Sequence, residues 1–291
     1  MIQNTFQHFA GIGEKTERKL WEQGVLTWDQ LEEAATELFS QKRAALIAGQ
    51  IDESREAFES NEFRYFTEKL KSTHTWRVLP HVTSGIAFLD IETTGLGFPP
   101  ESHTTSVAIM VDGKLFVEHE QAAKLQLIER VNDEAKLIVS FNGLGFDLPF
   151  LRRETGLLFD QCHLDLCVWL RRHDVRGGLK KIQLSFPHLH QRSSMDIDGF
   201  DAVRLWRMHQ QGVPRAIETL MTYNAEDTIC LEPLMREAYQ MERNLYHSDR
   251  PVAFALPEIK SLTLPRIETK IDSFVYSLLR GEESWNLPAE W

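Results

Sequence analysis

Along this chain the spacing of hydrophobic positions changes near His81. Before it, apolar residues recur at helical intervals in TERKLWEQG (16–24), in TWDQLEEAATELFSQKRAALIAG (27–49) and in a third segment from Asp52 to about Ser72. Thr27 ahead of WDQLEEA reads as an N-cap, and Gly24 as the close of the helix before it. Residues 1–75 are therefore expected to form a small all-helical region. Gly11 and Gly13 ahead of EKTERKLWEQG fit two alternatives. One is the hairpin half of a helix-hairpin-helix element, whose backbone N–H groups hold a phosphate; the other is a plain glycine turn.

From His81 the pattern becomes that of a sheet. GIAFLDI (85–91) reads as a strand, and TSVAIMV (105–111) and KLFVEHE (114–120) flank the Asp112-Gly113 hairpin signal. An amphipathic helix over 122–135, a buried strand KLIVSF (136–141) and a short helix over 146–156 follow. CHLDLCVWLRR (162–172) reads as a strand passing into a helix, and one long helix over 216–240 closes the region. This order predicts an α/β fold with a mixed sheet flanked by helices and three leading antiparallel strands, spanning 78–240. Residues 241–291, punctuated by proline, read as a tail.

Strand alternation places Phe88, Asp90 and Glu92 on one face and Ala87, Leu89 and Ile91 on the other. The two carboxylates, roughly 6.5–7 Å apart at Cα from the rise of a strand, can reach one ion. Buried carboxylates cost several kcal/mol each without a cationic partner, so the pair demands a counter-charge. IVSFNGLGFDLPFL repeats the arrangement: a strand ends near Asn142 and Asp147 opens the next helix. There its charge is favoured by the helix dipole, although an ordinary cap would look the same. In MTYNAEDTICL, Tyr223 and Asp227 are four residues apart and share a helix face. Taken together, four carboxylates at strand ends and on a closing helix point to divalent cations holding a phosphodiester.

Composition narrows the class. With 42% hydrophobic residues the chain of 291 can bury a large core, and no apolar run approaches a membrane span. The sparse, odd set Cys162, Cys167 and Cys230 fits free thiols, and a cytoplasmic protein is the expectation. The net charge of −11 argues against a nucleic-acid partner, but its distribution is uneven. RRHDVRGGLKK (171–181) carries Arg171, Arg172, Arg176, Lys180 and Lys181 against Asp174 alone. It is either a solvated loop or one that follows a phosphate backbone.

FLDIETTG, SFNGLGFD and YNAED resemble the three exonuclease motifs of the DEDD superfamily, with the Tyr-x-x-x-Asp form of its tyrosine subtype. NTFQHFAGIG, LWEQGVLTW, HLDLCVWLRR and RSSMDIDGFDAVRLW are similar to its YprB-like branch. The resemblance covers about residues 80–240 and implies a ribonuclease-H-like fold. It further implies two-metal (Mg²⁺ or Mn²⁺) hydrolysis from a DNA or RNA 3′ end, releasing nucleoside 5′-monophosphates. On that basis Asp90, Glu92 and Asp227 would bind the ion carrying the attacking water, Asp90 and Asp147 the second ion, and Tyr223 would orient the nucleophile. Relatives of this branch are associated with helicases and DNA repair, which makes a helicase partner and a repair role expectations here.

Around this set, Thr93, Leu96, Asn142 and the basic residues Arg171, Arg172, Arg176, Lys180 and Lys181 are candidate substrate contacts. Leu96 is either a wedge against the terminal base or a plain apolar contact. Asp165 reads as a supporting carboxylate and Glu226 as solvated, because it lies on another helix face from Asp227. Cys162, His163 and Cys167 lack an evident fourth zinc ligand, and His188 and His190 read as surface or phosphate-facing. Two rivals stand beside the exonuclease: a non-catalytic nucleic-acid-binding module of the same fold, and an endonuclease of the wider ribonuclease H group. The complete acidic set opposes the first, and the Tyr-x-x-x-Asp helix opposes the second.

Overall fold

The computed structural model describes the chain apart from residues 187, 190, 191, 194, 195, 250–253, 260, 268, 269 and 286–291. The reading of His190, and part of the RSSMDIDG stretch, lie outside the described residues.

The N-terminal part is helical: α1 (Glu14–Glu22), α2 (Trp28–Leu38), α3 (Gln41–Glu59) and α4 (Arg64–Lys69), then a 3₁₀ segment over Ser72–His81. Thr27 caps α2 in a capping box with Gln30, and Gly24 takes a positive φ of 84° after α1. The helix boundaries differ from those expected downstream. The chain is extended at Phe39 and Ser40, α3 begins there and runs through Gly49 to Glu59, and Asn61 at φ 57° ends it. Only a three-residue 3₁₀ turn, Ile2–Asn4, precedes the glycines at 11 and 13, and the Arg43 guanidinium donates to the Gly11 carbonyl at 2.7 Å.

The sheet contains β1 (Ile86–Thr93), β2 (Thr104–Val111), β3 (Lys114–Glu118), β4 (Leu137–Ser140) and β5 (Cys162–Asp165) in the order β3-β2-β1-β4-β5. The first three strands are antiparallel, while β4 and β5 add in parallel. Asp112 and Gly113, both at positive φ, make the tight β2–β3 turn. One sheet face buries Ala87, Leu89, Ile91, Val107 and Ile109 against α5 (Gln121–Glu134) and α6 (Asp147–Thr155). The opposite face, with Phe88, Met110, Val139 and Leu164, meets α7 (Leu166–Arg171) and the N-terminal helices in one apolar cluster.

Beyond β5 come α8 (Leu179–Leu184), α9 (Gly199–Gln210), α10 (Ala216–Ile229), α11 (Leu231–Asn244) and α12 (Ser273–Arg280). The single long helix expected over 216–240 is two, broken at Cys230. Pro233, which lacks an N–H, falls in the first turn of α11, where none is needed. Within 241–291 a π-helical turn, Leu245–Asp249, follows α11, and α12 packs Val275, Leu278 and Leu279 against Leu205 and Leu220.

The N-terminal helices are tied into the interior by more than apolar contact. Arg77 and Glu17, 0% and 1% exposed, form a bidentate pair at 2.8 and 2.9 Å, and Arg77 also donates to the Tyr246 hydroxyl at 3.1 Å. Glu17 further accepts from the Phe6 N–H at 2.7 Å. Further hydrogen bonds of this kind offset the cost of burying a charge pair. Trp76 and Trp169 stack beside it, ring centres 6.0 Å apart. Among the described residues no helix is long and apolar enough to cross a membrane.

Candidate active site

The C-terminal end of β1 delivers Asp90 and Glu92 to the face crossed by α10, which delivers Tyr223 and Asp227 one turn apart. Among the described residues, Asp90, Glu92 and Asp227 are the one group of three or more His, Cys, Asp or Glu whose ligand atoms converge. Those oxygens lie within 4.8 Å of one another. Glu92 and Asp227 are 9% and 6% exposed and Asp90 is more open, so the triad is largely withdrawn from solvent.

Two amides orient these carboxylates. Asn224 donates to Asp90 Oδ2 at 2.6 Å, and its own oxygen accepts from the Ser106 hydroxyl of β2 at 2.8 Å. Asp147 accepts from the backbone N–H of Ile91, the residue between Asp90 and Glu92, at 3.3 Å; Phe146, not Asp147, occupies the cap position of α6. The loop ahead of it is shaped by Asp165, which accepts from the N–H groups of Asn142 and Leu144 and caps α7 through those of Cys167 and Val168. Asn142 is left-handed at φ 65°, and a Cβ at Gly143 would lie 2.1 Å from the Ser140 Oγ, so only glycine passes there. Asp165 thereby serves the backbone, and His163 is engaged with Ser140 at 2.7 Å.

The protonation equilibria follow from this crowding. Burial, then the charges of Asp227, Glu92 and Asp147, push the Asp90 carboxyl well above the ordinary range. Glu92 is raised by burial, Asp227 and Asp147, with Lys180 and Arg192 opposing. Burial takes Asp147 up to about 7 against the N–H bonds that favour its charge. Tyr223, 5% exposed, is pushed up by burial and then by Asp227, Glu92 and Asp90, so its hydroxyl keeps its proton. A cluster of oxygens that repel one another, with raised proton affinity, suits hard divalent cations.

The counter-charge in this structure comes from residues that sequence reasoning weighed lightly or missed. Lys180 stands over the Tyr223 ring at 4.4 Å, and burial lowers its ammonium to about 8. Arg192, absent from the expected set, has a fully buried side chain that pairs with Asp227 and lies 5.7 Å from the Tyr223 ring centre. Glu226 is not solvated as expected: it is 5% exposed and accepts from the Ser193 N–H and hydroxyl at 2.8 and 2.5 Å. The helix α10 is buried all round at that level, which removes any solvent face.

The other candidate contacts divide. Thr93 donates to the Gly95 carbonyl at 2.7 Å and holds the loop, on which Leu96 is 92% exposed. Arg171, Arg176 and Lys181 are exposed, Arg176 beside Asp174 at 3.3 Å. Arg172 turns inward instead, to Glu242 at 3.0 Å and Glu14 at 3.4 Å. His188 is at the surface, paired with Glu237 at 2.7 Å. Cys162, Cys167 and Cys230 are free and buried.

No curated protein matches the chain. A family B DNA polymerase from the hyperthermophilic archaeon Pyrobaculum calidifontis is similar at 15% identity and a TM-score of 0.40, over 54% of this chain and 24% of its own. This chain thus spans about a quarter of that polymerase. The family model described as the RNase_H superfamily matches residues 87–239, from the first alternating positions of β1 to the body of α11, and so takes in Asp90, Glu92, Asp147 and Asp227. With more than half of its length matched, the chain belongs to the RNase_H superfamily.

Proposed function

We propose that the protein is a divalent-metal-dependent 3′→5′ exonuclease. It would hydrolyse phosphodiester bonds of nucleic acid, DNA in preference, to nucleoside 5′-monophosphates. The observation that supports this best is the convergence of Asp90, Glu92 and Asp227 within 4.8 Å beside a buried Tyr223, in a chain of this superfamily. Asp90, Glu92 and Asp227 would hold one Mg²⁺ or Mn²⁺, and Asp90 with Asp147 a second. When bound, such ions supply Lewis acidity, an activated water and charge for the departing 3′ oxygen.

The chain's own residues do the rest. Asn224 and the Ile91 N–H hold the Asp90 and Asp147 carboxylates in place. Tyr223, retaining its proton, offers an O–H donor that orients the nucleophile without competing for a cation. Thr93 sets the loop that presents Leu96 to the end of a strand, and Arg171, Arg176 and Lys181 provide charge for phosphates beyond it. A repair role and a helicase partner, which the family resemblance implies, extend the proposal.

The test is degradation of 5′-labelled single- and double-stranded DNA and RNA with Mg²⁺, Mn²⁺ or EDTA, beside an Asp90→Asn, Asp227→Asn double variant. A ladder that shortens from the 3′ end, needs metal and vanishes in the variant is the expected result. Tight binding of nucleic acid without any cleavage would replace the proposal with a non-catalytic binding module.

A further inference from the structure

Arg192 occupies an unusual place. Its guanidinium, 0% exposed, pairs with Asp227, one of the three converging carboxylates. Its NH1 has no hydrogen-bond partner among the described residues, and its Nε lies 3.8 Å from Glu226 Oε2, beyond hydrogen-bonding reach. Glu226 is the neighbour of Asp227 on α10 and is itself held through its other oxygen by Ser193, the residue after Arg192. Two buried carboxylates therefore stand beside one guanidinium, Asp227 in direct contact and Glu226 in a longer ion pair at 3.8 Å.

An arginine keeps its charge under all conditions in which the protein is folded. A divalent ion at Asp227 and the guanidinium would repel one another across one carboxylate in a poorly solvated site, so binding the ion weakens this pair. As the pair with Asp227 weakens, the buried guanidinium is left to Glu226, its other ion-pair partner at 3.8 Å.

We infer that Arg192 is a resident counter-cation that is exchanged for the metal. It holds Asp227 in place while no ion is bound, and it moves to Glu226 when the ion takes Asp227. Divalent-ion binding then carries the cost of breaking an ion pair, which sets the metal concentration at which the site fills. This rests on the metal-site reading above and adds a regulator of that site.

The test is Mn²⁺ binding by the full-length protein, followed by titration calorimetry and by the paramagnetic resonance signal of free Mn²⁺, without nucleic acid. Arg192→Gln removes the competitor and should bind Mn²⁺ about tenfold more tightly, equivalent to ~1.4 kcal/mol. Glu226→Gln leaves the three ligands intact but removes the place to which the guanidinium retreats, and should weaken Mn²⁺ binding by a similar factor. A merely structural role for the segment would move both variants in one direction. Opposite shifts support the exchange. Unchanged or weaker binding in Arg192→Gln with a native circular dichroism spectrum overturns it, and if that variant does not fold, unchanged or tighter binding in Glu226→Gln does so alone. Wild-type protein that binds no Mn²⁺, with Asp227→Asn no different, would remove the metal-site reading and this inference together. Wild-type binding lost in Asp227→Asn but indifferent to Arg192 and Glu226 would remove this inference only.

Discussion

Asp147→Asn should make the metal-free protein more stable, although it deletes a carboxylate expected to hold an ion. The Asp147 carboxyl is 5% exposed and burial pushes it from 3.8 up to about 7. Asparagine keeps an oxygen that can accept from the Ile91 N–H at 3.3 Å and removes the charge that burial penalises. Because the folded value is raised, the penalty is absent below about pH 4, where the carboxyl is protonated in both folded and unfolded chains. It grows as pH rises, since the unfolded chain releases its proton first, and is complete above pH 7. At ~1.36 kcal/mol for each pH unit between the two values, the ceiling is about 4 kcal/mol. Relaxation of the site and water entry lower this, so a gain of about 1–4 kcal/mol is expected near pH 8. Urea denaturation in EDTA, run on wild type and variant from about pH 4 to about pH 9, measures it. The difference should be near zero at the acid end and widen toward neutrality, and added Mg²⁺ should narrow it by stabilising the wild type. Equal stability of the two proteins at pH 8, or a gap that closes with rising pH, would refute the claim that burial disfavours the charged carboxyl.

Tyr223→Phe keeps the packed ring and removes only the donor. Hydrolysis should fall by about 10²-fold or more, as expected for loss of a positioning donor, while oligonucleotide binding changes little; a loss confined to binding would contradict the assigned role. Glu17→Gln leaves the Arg77 guanidinium buried without its anion and should cost about 3–5 kcal/mol in urea unfolding. A cost below about 1 kcal/mol would mean that Tyr246 and water suffice.

What could be read in advance was whatever local periodicity determines. The two-residue repeat of β1 places Asp90 and Glu92 together, and the four-residue interval of α10 aligns Tyr223 with Asp227; both relations survive folding because they are internal to one element. Asn224 stood beside Tyr223 in plain sight, but its bonds to Asp90 and Ser106 join positions 134 and 118 residues apart, which periodicity does not register. Arg192 lies in irregular chain with no repeat to orient it. Glu226 was misjudged by assuming that α10 has a wet face, whereas its polar residues from Thr222 to Thr228 are all buried. The scarcity of Lys and Arg in MTYNAEDTICL was the available signal. Arg172 failed for the opposite reason: a run of basic residues gives the sign of a surface, but Glu242 and Glu14 had claimed this member for the interior.

The sheet ends at β5, whose outer side is met by α4 and the 3₁₀ segment Ser72–His81. A terminal strand left bare offers a row of unsatisfied peptide groups to any other strand in solution. The helical first part of the chain therefore shields the sheet from self-association, whatever else it does. A truncated protein starting near residue 82 should form oligomers or aggregates through β5, and any loss of nucleic-acid affinity in it would report sticky edges before it reported a missing grip on substrate.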